Sequence, residues 1–187
     1  MREALETAAD GNNKIAEQLL QNLHENITAL QGKNWCDHPI INAVLLEKAA
    51  DCEIKDICLE VKIDFNIKQS ADVGTLQLGV QPIHICSVFS NLLDNAIQAA
   101  SLCPKSQRKI SIHALYDGNF FHVKVKNSAL KSDKENKRSG HGYGQRILRD
   151  IAEQYHGAFY TKWEGSLYTA AISLECEEVD GNDLQHT

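Results

Sequence analysis

Two stretches of the chain carry side chains whose type and spacing fit chemistry. The first is "SNLLDNAIQAA", residues 90–100. Asn91 and Asn95 stand four residues apart with Gln98 beyond them, and steps of three and four return to one side of a helix. Asparagine is a mediocre helix former, because its amide competes for nearby backbone groups. Its amide oxygen is nonetheless a hard, neutral ligand suited to Mg²⁺, which takes a few protein oxygens and completes its shell with water and phosphate. Two helical amides therefore offer a platform for a metal–triphosphate. The plain alternative is that both are solvated.

The second stretch is "SGHGYGQ", in which Gly140, Gly142 and Gly144 alternate directly before a helix. Glycine permits close backbone approach, and the first turn of a helix offers unpaired N–H groups and a positive dipole end. Arg146 and Arg149 on that helix could add charge-assisted contacts to phosphate. The polar run "SALKSDKENKR" just ahead reads as a mobile loop, and loops of that kind close over nucleotides.

The elements that must hold these stretches are legible from apolar periodicity. Phe89, Leu92, Leu93, Ala96, Ile97 and Ala100 form the buried stripe of a helix predicted over about 83–102, with the asparagines on its accessible side. Ile147, Leu148, Ile151 and Ala152 do the same for a helix over about 145–155. Another helix is predicted over 39–55, with Ile40, Ala43, Val44 and Ala50 among its apolar contacts. "ICLEVKIDFNI" alternates as a half-buried strand, and "TLQLGV" reads as a second. "KISIHALY" and "FFHVKVKN" flank the turn "DGN", while "GAFYTKW" and "SLYTAAISL" flank "EG". The short turns imply a mixed, mostly antiparallel sheet with about three helices on one face, an α/β two-layer sandwich. Ahead of it, Ile15, Leu19, Leu20, Leu23, Ile27 and Leu30 mark an amphipathic N-terminal helix suited to a dimer contact. Residues 1–33, 34–176 and 177–187 are thus read as helix, globular domain and solvated tail.

The totals narrow the function classes. With 43% hydrophobic residues in 187, the chain can build a real core, and a net charge of −6 argues against a nucleic-acid surface. No apolar run spans a membrane, and the N-terminus lacks the apolar core of a secretory signal. Six cysteines form no C-x-x-C pair. Cys36/His38 and His84/Cys86 could meet as four metal ligands, but reduced thiols are the simpler expectation, free cysteine being commonly a small packing residue.

"NLLDNAIQA" resembles the N box, and "GHGYGQRILRDIAEQYHG" the second glycine box, of the ATP-binding catalytic domain of sensor histidine kinases, the Bergerat fold shared with gyrase, Hsp90 and MutL. The likeness covers about residues 34–175, and the Asn127–Ser128 pair resembles the Agr-type, quorum-sensing branch. It implies that Asn95 binds Mg²⁺ and that Asn91 sits beside the phosphates of ATP. It further implies that Gly140, His141, Gly142, Tyr143 and Gly144 line the triphosphate and that residues 129–139 form the ATP lid. The family's D-x-G-x-G box is absent; Asn127 stands near its place and could read adenine through its side-chain oxygen. Gln98 and Gln145 also depart from the common pattern, and the role of Asp94 is open.

The implied reaction moves the γ-phosphoryl group of ATP to a histidine on a dimerisation helix, and from there to a response regulator. "HENITAL" superficially resembles the acceptor motif, but its place in the chain makes residues 1–32 the second dimerisation helix, with the acceptor upstream rather than at His24. A homodimer through this helix follows, in a cytoplasmic domain whose membrane contact lies in an absent upstream segment. Two rival readings are an anti-sigma-factor-like serine kinase and a non-catalytic dimeric module with a degenerate nucleotide site.

Overall fold

The structure is a computed structural model and describes residues 34–65, 79–130 and 143–176. The chain divides into two units, Met1–Asn34 and Trp35–Thr187, and all described residues but Asn34 belong to the second. The predicted N-terminal helix with His24, most of "TLQLGV", the proposed lid from residue 131 on, Gly140, His141, Gly142 and the tail lie outside the described residues.

Along the described chain three helices and five strands follow in the order helix, strand, helix, two strands, helix, two strands. Helix α1 (Pro39–Ile54) starts on a proline whose missing N–H costs nothing at that position. His38 caps it, with Nδ1 accepting the Ile41 N–H at 3.4 Å. The helix ends where Asp56 turns to φ 53° and the Ile57 N–H bonds back to the Cys52 carbonyl at 2.8 Å. Its buried side is Ile41, Val44, Leu45, Lys48, Ala49 and Cys52. Of the predicted contacts only Val44 is fully buried, Ile40 and Ala50 are half-buried, and Ala43 faces solvent. "PIINAVLLEKAADCEI" is apolar around much of its circumference, so the choice of stripe falls to packing against the next helix rather than to periodicity.

Strand β1 (Cys58–Asp64) is half-buried at every second residue, as predicted. Helix α2 (Pro82–Ser101) again opens on proline and buries all six predicted stripe residues together with Ile85 and Val88. A short 3₁₀ turn (Lys105–Gln107) leads into β2 (Lys109–Tyr116), and β3 (Phe120–Ser128) returns after a tight turn. There Asp117 Oδ1 accepts the N–H groups of Asn119 and Phe120 at 3.1 and 2.8 Å, and Gly118 takes φ 104°. Helix α3 (Tyr143–Gln154) precedes the hairpin of β4 (Ala158–Glu164) and β5 (Leu167–Glu175).

The strands lie in the order β1-β2-β3-β5-β4, with β1 and β2 parallel and the other neighbours antiparallel. A parallel pair needs a crossover, and α2 lies within the one between β1 and β2. The registers place Ile112, Val125 and Ala170 in one cross-sheet row and Ala114, Val123 and Ile172 in the next. That face meets the helices and forms one core around Phe89, Leu93, Phe121 and Leu148. The other face carries ion pairs such as Lys109–Glu60 and His113–Asp64. The product is the α/β two-layer sandwich expected from the sequence. Among the described residues, no helix is long and apolar enough to cross a membrane.

Candidate functional site

The accessible side of α2 is not simply wetted. Asn91 and Asn95 are both half-buried, whereas Asp94 and Gln98 are exposed. Asn91 Nδ2 donates to the Ser87 carbonyl one turn back at 2.7 Å, which fixes the amide and turns Oδ1 away from the helix. Against this pair sits Gly144, in the first turn of α3. A Cβ built on Gly144 would lie 2.8 Å from Asn91 Oδ1 and 3.5 Å from Asn95 Nδ2. A residue with a side chain could stand here only if the Asn91 amide moved aside. The two stretches singled out in the sequence therefore meet in space, with the Asn91 amide oxygen and the Asn95 amide nitrogen on one wall and the start of a helix on the other. The neighbouring Tyr143 is 73% exposed.

Asn127, the third predicted polar residue, ends β3 on the helix-facing side and is 3% exposed. Its Nδ2 donates to the Ser128 carbonyl at 2.8 Å, which leaves Oδ1 as the acceptor of this amide. Ser128 fixes the strand end by accepting the Lys109 N–H through Oγ at 3.0 Å. An acceptor held in this way suits an exocyclic amino group.

Sequence reasoning missed two supports of the site. Asp94 Oδ1 pairs with Lys48 Nζ of α1 at 2.9 Å, and Glu47 Oε1 completes the contact at 2.9 Å. The Lys48 side chain is 8% exposed. Burial alone would lower its pKa, but the hydrogen bonds and charges of Glu47 and Asp94 hold the ammonium above its ordinary value. Asp94 thereby ties α2 to α1 immediately beside Asn95. The second support is Tyr168, across the sheet from Asn127 and bonded to Gln145 of α3 at 3.1 Å. Neither partner is signalled by spacing, because each contact joins elements distant in the chain.

Among the described residues, no three His, Cys, Asp or Glu side chains converge as metal ligands. The Cys36/His38 and His84/Cys86 pairs serve other contacts: His38 caps α1, Cys36 Sγ approaches the His38 carbonyl at 3.8 Å, and His84 Nδ1 meets the Tyr155 hydroxyl at 2.8 Å. The six cysteines are free thiols. Beside Gly144 stand the neutral amides of Asn91, through its oxygen, and Asn95, through its nitrogen. An amide oxygen fits a hard cation such as Mg²⁺ that shares its shell with phosphate, and Asn95 offers one once its amide is turned over.

The profile of the GHKL domain matches residues 80–175, from the start of α2 to the end of β5. The chain belongs to the GHKL domain family. No curated protein matches it. Among solved structures it is similar to the nucleotide-free catalytic domain of the histidine kinase ThkA, at 20% identity and a TM-score of 0.56 over 73% of this chain and 92% of that one. It is also similar to the Acinetobacter baumannii histidine kinase AdeS, at 15% identity and a TM-score of 0.52 over 86% of this chain and 80% of that one. At such identities the likeness is one of fold. Within this GHKL domain, Asn91, Asn95 and Gly144 form one cluster on α2 and α3, and Asn127 lies at the end of β3.

Proposed function

We propose that this GHKL domain binds Mg–ATP between α2 and α3 and acts as the catalytic domain of a sensor histidine kinase, passing the γ-phosphoryl group to a histidine on a dimerisation helix. The observation that carries the reading is the approach of Gly144 to Asn91 and Asn95. Phosphoryl transfer asks a protein mainly for positioning and neutralisation of charge. The asparagine amides would supply positioning, with the Asn95 amide turned to offer its oxygen, and the helix N-terminus with a bound cation would supply the neutralisation. Asn95 would hold the cation and Asn91 would orient it beside the phosphates. When bound, Mg²⁺ would neutralise the charge that develops on the transferred group. The N–H groups at the start of α3 would receive phosphate oxygens, joined by Gly140, His141, Gly142 and Tyr143, with residues 129–139 as the lid. Asn127 Oδ1 would accept the adenine amino group. That substitution, followed by Ser128, supports the Agr-type branch.

The partners implied are a second copy of the chain through the N-terminal helix, and a response regulator whose aspartate receives the phosphoryl group in turn. The test is phosphotransfer from γ-labelled ATP, with the chain mixed with dimerisation hairpins that carry an acceptor histidine. Acid-labile, base-stable label on the hairpin supports the reading. Acid-stable label points to a serine kinase, and nucleotide binding without any transfer points to an interaction module. The chain alone is expected to take up no label, and label lost on His24→Gln would overturn the placement of the acceptor upstream.

A further inference from the structure

The first turn of α3 must be held in place for Gly144 to stay against the asparagines, yet its own residues bury little. Tyr143 and Arg146 are exposed, and the buried anchors Leu148, Ile151 and Ala152 belong to later turns. What fixes the turn laterally is Gln145. Its Nε2 donates to the Tyr168 hydroxyl at 3.1 Å, and its Oε1 accepts from Arg149 Nη2 at 3.5 Å. The Arg149 guanidinium also rests over the Phe159 ring at 5.9 Å. Tyr168 stands in register with Asn127, and its ring meets that of Trp163 with centroids 5.0 Å apart. The Tyr168 side chain therefore links the residue after the close-approach glycine to a partly exposed tryptophan, on the strand that pairs with the end of β3 bearing Asn127.

We propose that Gln145 and Tyr168 form a latch that positions the first turn of α3 for nucleotide, and that Trp163 reports its state. The latch rests on the nucleotide-binding reading above and adds two positioning residues to it. A net hydrogen bond of this kind contributes a factor of about three to ten in an equilibrium constant. Breaking it frees the turn, so the loss appears in nucleotide affinity while the core stays intact. Because the two side chains act as one unit, their removal is not additive.

The test uses the whole chain with Mg–ATP as the probe, in Tyr168→Phe, Gln145→Ala and the double variant. Calorimetry reads affinity, and tryptophan emission is read in a Trp35→Phe background, with Trp163→Phe as the control that assigns the signal. The expected result is a dissociation constant raised about three- to tenfold in each single variant, no further loss in the double, and an unchanged thermal midpoint. The emission change that ATP induces at Trp163 should shrink in Tyr168→Phe. Wild-type affinity and emission change in both single variants, or losses that multiply in the double, would overturn the latch while leaving nucleotide binding in place. A folded wild-type chain that binds no Mg–ATP would overturn the nucleotide reading and the latch together.

Discussion

Replacing Gly144 with alanine separates binding from stability. The added Cβ would stand 2.8 Å from Asn91 Oδ1, closer than carbon and oxygen tolerate, so the amide must yield by several tenths of an ångström. Asn91 is pinned by its 2.7 Å bond to the Ser87 carbonyl, and weakening that bond costs about 1 kcal/mol. Forcing the side chain off its rotamer adds about 1 kcal/mol. Against this, alanine in place of glycine favours the helix by up to about 1 kcal/mol. The net change in stability is therefore small, about 1 kcal/mol or less, and the thermal midpoint should move by only a few degrees. Affinity for Mg–ATP should fall at least about tenfold, equivalent to about 1.4 kcal/mol, because Mg²⁺ demands near-ideal octahedral distances. Thermal denaturation and calorimetric titration of the same preparation check both halves. A Gly144→Ala variant that binds Mg–ATP like the wild type would refute the proposal that the glycine and the asparagines share one site.

Other consequences concern the frame. Gly157→Ala should cost about 3 kcal/mol in denaturant unfolding, since its Cβ would lie 1.8 Å from the Ser173 backbone oxygen, which no side-chain rotation can relieve. Asp94→Ala should lower stability by about 1 kcal/mol or less, because the Asp94 carboxylate is partly solvated and Lys48 keeps Glu47 as a partner, and Lys48→Met in that background should recover part of the loss. His38 is held neutral: burial lowers its pKa below 6.5, so the unfolded chain takes up the proton first. Its contribution is present above pH 6.5 and is lost as pH falls below that value, and His38→Asn, which keeps a capping acceptor, should flatten the slope between pH 7.5 and 5.5. Burial pushes the thiols of Cys52 and Cys176 up to about 11, so a short alkylation at neutral pH read by mass spectrometry should mark exposed Cys58 and spare both.

What could be read from the sequence was whatever repeats with a helical or strand period. The α2 stripe from Phe89 to Ala100 was legible because its apolar and polar residues fall on opposite sides. On α1 the same reasoning found Val44 and Ile40 but also took exposed Ala43 and passed over Leu45, because apolar residues occupy too much of the circumference for periodicity to choose between them. At the site, Asn91, Asn95 and Gly144 were visible as unusual residues at unusual positions, and the structure adds their contact. Lys48 and Tyr168 were silent. A buried lysine at a helix interface and a tyrosine in a strand are ordinary in sequence, and their significance lies in Asp94 and Gln145, partners far away in the chain.

The most direct measurement is a calorimetric titration of ATP into the wild-type chain and into Asn95→Ala, each with and without Mg²⁺. The account predicts binding that depends on magnesium and disappears in the folded Asn95→Ala variant. A folded wild-type chain that takes up no ATP at millimolar concentration, or that binds it equally well without Asn95 or without magnesium, would contradict it.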